Sequence, residues 1–168
     1  MSYVCHYDSP LGGITVASDG ACVCGLWFDG QKYFGSTLAG RSVRQTVPVL
    51  EKACRWLDLY FGGVVPDFVP PLLMESTPFR TAVWRAISDI PYGQTVSYAM
   101  LAANVALRLR VPRISARAVG AAVGRNPISI IVPCHRVIGS DGTLTGYAAG
   151  LDIKKALLGL ERTVCENR

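Results

Sequence analysis

The chain has 168 residues, half of them hydrophobic, so it is long enough to bury a core, and disorder throughout is excluded. No apolar stretch reaches the roughly 20 residues of a membrane-spanning helix, and the N-terminus lacks the pattern of a secretory signal. The net charge of +5 comes from one block, Ile90 to Ser140, which holds six arginines and no Lys, Asp or Glu. Because guanidinium groups bind phosphates bidentately, this block predicts a polyanion partner. A solvated basic face without a partner is the alternative.

The six cysteines, at positions 5, 22, 24, 54, 134 and 165, are interpreted as thiols of a protein in a reducing cytoplasm. Cys22 and Cys24, together with Cys5 and His6, do not have a common zinc-ligand spacing. A metal held by these four residues is the alternative, but we predict neither a metal nor a cofactor.

The N-terminal part, residues 1–75, is predicted to be a small α/β domain. Two β-rich runs, 13–18 and 21–28, are separated by a Ser-Asp-Gly turn. Apolar residues at helical spacing predict a helix over 47–61. A connector with three prolines then runs from Gly62 to Ser76, and the domain boundary is placed at its end.

The C-terminal part, residues 76–168, is predicted to be mainly helical. Thr77 and Pro78 start a first helix, Thr95 or Ser97 caps a second, and Ser115 caps a third over 116–124. The second and third helices together predict a helix-turn-helix. Residues 128–132 are predicted to form a short buried strand, and Asp152 to cap a final helix over 153–162.

Cys134 is the residue on which the predicted chemistry depends. It follows Pro133, which can begin a helical turn with Cys134 at its N-terminus and Arg136 nearby, and a cation or a helix terminus lowers a thiol pKa. His135 is the local candidate for a general base, and Glu161 is the carboxylate candidate to orient it. A buried cysteine serving only as a small hydrophobe is the alternative.

Several segments resemble the O6-alkylguanine-DNA alkyltransferases (methylated-DNA–protein-cysteine methyltransferases). The run Ile131-Val-Pro-Cys-His-Arg-Val-Ile138 is similar to the acceptor-site motif of this family. Thr77-Pro-Phe-Arg, Ile90-Pro-Tyr-Gly and Thr145-Gly-Tyr-Ala-Ala-Gly resemble its other C-terminal segments in the same order. The resemblance is strong over 77–168 and weak over 1–76, and it implies a ribonuclease-H-like N-terminal domain.

The resemblance also implies the reaction and its residues. Cys134 accepts an alkyl group irreversibly from O6 of guanine in double-stranded DNA; acceptance from O4 of thymine is left open. His135 takes the thiol proton through a water, Glu161 completes the relay, and Asn126 holds the active-site turn. Tyr98 donates a proton to the departing base. The implied pocket residues are Val137, Gly146, Tyr147 and Ala148.

The resemblance further implies that the protein docks in the minor groove of DNA. The target base is expected to be flipped out, because O6 of a stacked guanine cannot reach a buried thiol. Arg117 is similar to the family's finger residue, which fills the gap in the stack. The predicted DNA contacts are Ser97, Tyr98, Arg108, Arg110, Arg113, Ala116, Arg117 and Arg125.

Two departures from the family pattern stand out. The turn over 104–115 is enlarged and basic, and Ala148 replaces a hydroxyl residue. The protein is expected to act as a monomer with no membrane association. The alternatives are a non-catalytic helix-turn-helix or lesion-marking protein, and a thiol hydrolase using Cys134 and His135.

Overall fold

The computed structural model describes residues 1–38 and 40–168. Its first part is a four-stranded sheet with strand order β3-β2-β1-β4. Strands β1, β2 and β3 form an antiparallel meander, whereas the short β4 pairs parallel with β1. The strands are β1 Ser2–Ser9, β2 Gly12–Ser18, β3 Val23–Phe28 and β4 Ser42–Arg44. The sequence predicted β2 and β3, but not β1 or β4.

Helix α1, Pro48–Phe61, packs across the sheet with its apolar face buried. Pro48 occupies the start of the helix, where its missing N–H is not needed. The connector that follows binds the edge of β3, since the backbone N–H of Val23 donates to Pro71 O over 2.8 Å.

The second part is mainly helical, as predicted. The side chains of Thr77, Ser97 and Ser115 each accept a backbone N–H at the start of a helix, and of the two candidates it is Ser97 that caps the second. Two-residue strands β5 and β6 pair in parallel beside the site. The elements are α2 Pro78–Ser88, β5 Val96–Ser97, α3 Tyr98–Leu109, α4 Ala116–Val123, β6 Val137–Ile138 and α5 Leu151–Glu166.

Two predicted details are wrong. Residues 128–132 form turns and a single bridge to Leu26 instead of a strand, because Ile130 has φ of 68° and reverses the chain. Helix α5 begins two residues earlier than predicted, with Gly150 at the N-cap position, and Asp152 lies in its first turn.

One hydrophobic core runs through both parts of the chain. It contains Ile14 and Leu26 from the sheet, Trp84 from α2, and Leu157 from α5. Within residues 1–38 and 40–168, no helix has the length and apolar character needed to cross a membrane. The sheet and the helices therefore fold around a shared interior, and the Cys134 turn lies within it.

Candidate active site

The Cys134 turn is held from below by an amide side chain. Asn126 is buried; its Nδ2 donates to the carbonyl oxygens of Ile128 and Val132, over 3.2 and 2.9 Å, and its Oδ1 accepts the Ile128 N–H. These three bonds satisfy backbone groups that the left-handed Ile130 leaves without a ladder partner. Asn126 thus joins the end of α4 to the Cys134 turn, and its hinge role stays a prediction.

Cys134 begins a 3-10 turn, Cys134–Arg136, directly after Pro133. The side chain is only 6% exposed, and burial raises its pKa above the usual value. Contacts with Asn126, Lys154 and Tyr147 act in the opposite direction and stabilise the thiolate. Because burial outweighs them, the resting group is a thiol, and it needs a base before it can attack.

His135 is the adjacent base, and it is completely buried. Its Nε2 lies 2.6 Å from Oε1 of Glu161. Burial lowers the pKa of His135 although the Glu161 carboxylate opposes this, so the ring is neutral at pH 7. The neutral ring donates its Nε2 hydrogen to Glu161. Its Nδ1, which has no hydrogen-bond partner among the described residues, is then the free acceptor.

Glu161 is the centre of this network. Arg136 donates to both carboxylate oxygens, over 2.9 and 3.0 Å, and the Tyr60 hydroxyl donates to Oε1 over 2.9 Å. The backbone N–H of Gly93 binds Oε2. Burial alone would raise the Glu161 pKa, but the hydrogen bonds from His135 and Arg136 and the positive charge of Arg136 outweigh burial and hold the pKa at about 2. Glu161 is therefore a permanent anion that fixes the His135 ring.

Arg136 was expected to lie near Cys134 and to lower the pKa of its thiol, but its guanidinium binds other groups. Its guanidinium is buried against Glu161 and the Ile90 carbonyl, which accepts from Nη1 over 2.7 Å. The cation that acts on Cys134 is instead Lys154 of α5, whose Nζ is buried and donates to the carbonyl oxygens of Val137, Thr145 and Gly146. Lys154 thus anchors the pocket loop and favours the thiolate.

A cavity of about 240 Å³ opens above Cys134. Tyr98 closes one side, and its hydroxyl donates to Thr145 O over 3.0 Å. Burial raises the Tyr98 pKa, so this hydroxyl keeps its proton and can act as an acid. Gly146, Tyr147 and Ala148 line the cavity, whereas Val137 is fully buried in β6 and does not line it.

The N-terminal part contributes one rim of the cavity through Lys32 and Tyr33. The Lys32 N–H donates to Ala148 O over 3.1 Å, and the Arg125 guanidinium stacks 3.8 Å from the centroid of the Tyr33 ring. Arg125, a predicted DNA contact, therefore also joins the two parts of the chain at the cavity mouth. Nothing in the sequence indicated the contribution of Tyr33.

The other predicted DNA contacts lie on or beside the α3–α4 pair. Ala116 and Arg117 are exposed in the first turn of α4, and Ser97 is half-buried at the N-cap of α3. Arg110 and Arg113 are exposed in the turn between the helices. Arg108 is engaged locally, since it forms an ion pair with Asp89 and also binds Asn104.

Besides the cavity rim at Lys32 and Tyr33, the sequence analysis missed two further functional side chains, Lys154 and Tyr60. Lys154 could have been found from the sequence, because it lies at helical spacing from Leu157 and Glu161 on the buried face of α5. A lysine is rarely buried unless its charge is paired or hydrogen-bonded. No sequence pattern indicated Tyr60, since only the packing of α1 brings its hydroxyl to Glu161.

Comparison with known proteins agrees with this geometry. Residues 78–163 match the family model of the 6-O-methylguanine DNA methyltransferase DNA-binding domain, and residues 3–73 match that of its ribonuclease-like domain. The chain belongs to the 6-O-methylguanine DNA methyltransferase family. The family predicted from the acceptor motif is confirmed, and so is the fold class of a ribonuclease-like sheet domain joined to a helical part.

Relatives of the methyltransferase family match over nearly the whole chain. The methylated-DNA–protein-cysteine methyltransferase of Haemophilus influenzae is 40% identical over 161 residues, which is 95% of this chain and 86% of the relative. That of Methanosarcina acetivorans is 41% identical and covers 95% and 97% of the two chains. The crystal structure of Mycobacterium tuberculosis OGT in complex with DNA superposes with a TM-score of 0.84 at 38% identity, over 96% of this chain and 94% of that one.

Proposed function

We propose that this methyltransferase repairs double-stranded DNA by direct reversal, moving an alkyl group from O6 of guanine onto Sγ of Cys134. The observation that carries the proposal is the combination of the Cys134 thiol at the floor of a cavity with the buried His135–Glu161 pair beside it. This pair can remove the thiol proton without exposing the sulfur to bulk water.

The proposed reaction begins with proton transfer from Cys134 through a bridging water to Nδ1 of His135. Glu161 stabilises the imidazolium that forms, because it stays ionised at every physiological pH. The thiolate attacks the alkyl carbon, a carbon–sulfur bond forms, and the carbon–O6 bond breaks. The guanine leaves with the electron pair and takes a proton from the Tyr98 hydroxyl, which water then reprotonates.

The product thioether is a poor leaving group, and no residue of the described chain could restore the thiol. The reaction is therefore a single turnover per molecule. Every residue of the relay comes from one chain, so a monomer is the proposed acting species. A thiol that must stay reduced also fits a cytoplasmic location.

The proposed DNA surface is the α3–α4 helix-turn-helix. Helix α4 is rich in Ala and Gly, and side chains of this size suit close approach to the duplex better than base readout. Arg117, exposed in its first turn, is the proposed finger that fills the space left by the flipped nucleotide. The cavity opens between α4 and the loop 145–148, where an extruded base can enter.

The test is to mix the protein with a duplex carrying one O6-methylguanine and to measure the intact protein mass. We expect Cys134 to gain one methyl group in place of hydrogen, with one equivalent consumed per protein, and the modified residue to be located by peptide mapping. Cys134→Ala should remove the reaction, whereas Cys24→Ala, which alters another buried thiol, should keep it. Loss of methyl from DNA in the presence of Cys134→Ala would overturn the acceptor assignment.

A further inference from the structure

A second pair of thiols lies away from the cavity. Cys5 on β1 and Cys54 on α1 are 49 positions apart in the chain, yet their sulfur atoms are 3.8 Å apart. Both side chains are half-buried at the interface between the sheet and the helix, so small solutes can reach them. Within residues 1–38 and 40–168 no other two cysteines make a hydrogen-bond contact.

We propose that Cys5 and Cys54 are a redox modification site, at which a peroxide oxidises the two thiols to a reversible disulfide bond. A disulfide needs the two sulfur atoms at about 2 Å, and side-chain rotation on two facing elements can supply the remaining approach. The closed bond would join β1 covalently to α1, and it would not involve Cys134, the proposed alkyl acceptor.

The surroundings of the pair decide which thiol reacts first. The hydrogen bond from Cys54 lowers the pKa of Cys5, although burial opposes this. The pKa of Cys54 is raised by the same hydrogen bond, by burial and by the negative charges of Asp58 and Glu51. Tyr7, which is also on β1, binds Asp58 through its hydroxyl, and its raised pKa keeps it neutral. Asp58 and Glu51 lie one helical turn from Cys54 on α1, and their negative charges disfavour its thiolate, so we assign Cys5 as the nucleophile of the pair.

The chemistry balances with hydrogen peroxide as the oxidant. The Cys5 thiolate attacks one peroxide oxygen, the oxygen–oxygen bond breaks, and hydroxide leaves, so that Cys5 becomes a sulfenic acid. The Cys54 sulfur then attacks the Cys5 sulfur, and water leaves as the disulfide forms. Two thiols lose two electrons in total, and one peroxide becomes two water molecules.

The acceptor thiol should react more slowly with the same oxidant. Cys134 is 6% exposed, and burial raises its pKa, so less of it is present as the reactive thiolate. The disulfide would also stabilise the support of the relay, because α1 carries Tyr60, whose hydroxyl binds Glu161. Oxidation at the pair is then compatible with alkyl transfer.

The experiment treats the full chain with limiting hydrogen peroxide and measures the intact mass and the linked peptides under non-reducing conditions. We expect the loss of two hydrogens, a peptide linked through Cys5 and Cys54, reversal by dithiothreitol, and a rise in Tm of roughly 5–10 °C. The oxidised protein should still take up one methyl group from the methylated duplex.

Two variants make the result specific. Cys54→Ser should remove the disulfide and leave an oxidised Cys5, whereas Cys22→Ser, which alters another half-buried thiol, should keep the disulfide. Oxidation of Cys134 before the pair, or a disulfide that involves other cysteines, would overturn the proposal. An unchanged Tm after the link has formed would overturn the stabilising role.

Discussion

At the scale of single residues, Glu161 is the most constrained charge in the molecule. It is 1% exposed and accepts hydrogen bonds from His135, Arg136, Tyr60 and the backbone of Gly93. Burying a carboxylate is costly unless hydrogen bonds replace those that water made to its oxygens. In this protein, His135, Arg136, Tyr60 and Gly93 supply these hydrogen bonds to Glu161. The folded protein therefore prefers the ionised form strongly.

This preference predicts how stability depends on pH. The Glu161 pKa is about 2 in the folded protein and returns to the ordinary value of about 4.5 on unfolding. Between these values the unfolded chain binds more protons than the folded protein does. The stabilisation that ionised Glu161 contributes is therefore complete above pH 4.5 and is lost as the pH falls towards 2. It amounts to about 3 kcal/mol. Urea unfolding at several pH values should show this loss, and Glu161→Gln should flatten the slope in that window.

The matched control is Glu166→Gln, at the exposed end of the same helix, which should keep the wild-type slope. Burial lowers the His135 pKa, and that separate effect begins near pH 6.5. A Glu161→Gln protein with an unchanged slope below pH 4.5 would show that Glu161 is not the buried anion described above.

Lys154 shows what residue-level reasoning can and cannot find. A lysine on the buried face of α5 is conspicuous in the helical periodicity, and Glu161 two turns later is on the same face. Its three carbonyl partners, however, belong to β6 and to the loop before α5. Only the tertiary fold brings these segments to the ammonium group.

At the scale of elements, the α3–α4 pair has an unusually basic turn. Helix α3 ends at Leu109, and Arg110 follows in the left-handed conformation with φ of 54°. Arg110 and Arg113 are exposed there, whereas Arg108 is held by Asp89 and Asn104 on the helix itself. The turn therefore presents two free guanidinium groups beside the proposed DNA surface.

We expect these two arginines to contact phosphates. Each phosphate contact contributes about 0.9 to the slope of log K against log salt, so Arg110→Ala with Arg113→Ala should reduce the slope by about 2. Fluorescence anisotropy with a labelled duplex over a range of salt concentrations measures it. Arg108→Ala should have a smaller effect, because its charge is already paired.

Arg44→Ala, on the exposed edge strand β4, is the control and should leave the slope unchanged. If the double variant binds with the wild-type slope, the enlarged turn does not touch the DNA backbone. The proposed binding of DNA by α4 and Arg117 does not depend on this turn.

Element boundaries followed local chemistry at three predicted caps, although not at Asp152 of α5. Thr77, Ser97 and Ser115 begin their helices as expected, since each hydroxyl satisfies a free N–H of the first turn. The predicted strand over 128–132 failed for the opposite reason. Its β-prone residues are folded by Asn126 and by the edge of β3, neither of which local propensity includes.

At the scale of the whole molecule, the two parts of the chain meet at the site. The backbone of Leu26 exchanges hydrogen bonds with Pro127 and Ser129 over 2.9 Å, which fastens the sheet to the nucleophile turn. Tyr60 reaches from α1 to Glu161. The ribonuclease-like part therefore supports the relay mechanically, although every reacting group lies in the helical part.

The Tyr60 contact predicts a measurable coupling. Tyr60→Phe removes one donor from a buried carboxylate and should lower the free energy of unfolding by about 2 kcal/mol. Tyr92→Phe is the matched control: its ring packs against Tyr60 at 5.9 Å, but its hydroxyl has no hydrogen-bond partner among the described residues. Urea unfolding of both variants tests this. Equal losses in the two would mean that the contact with Glu161 does not stabilise the fold.

The sequence by itself determined the family and three of the helix starts, because an acceptor motif and helix caps are local patterns. It also predicted Cys134 as the acceptor and His135 as its base. It also located Glu161 and Asn126. Only the tertiary structure showed that Arg136 donates to Glu161 and that the charge of Lys154 favours the Cys134 thiolate. It also showed that Tyr60 and Tyr33 reach the site from the sheet domain. Those contacts join residues far apart in the chain, and their partners are selected by packing, which no local pattern encodes.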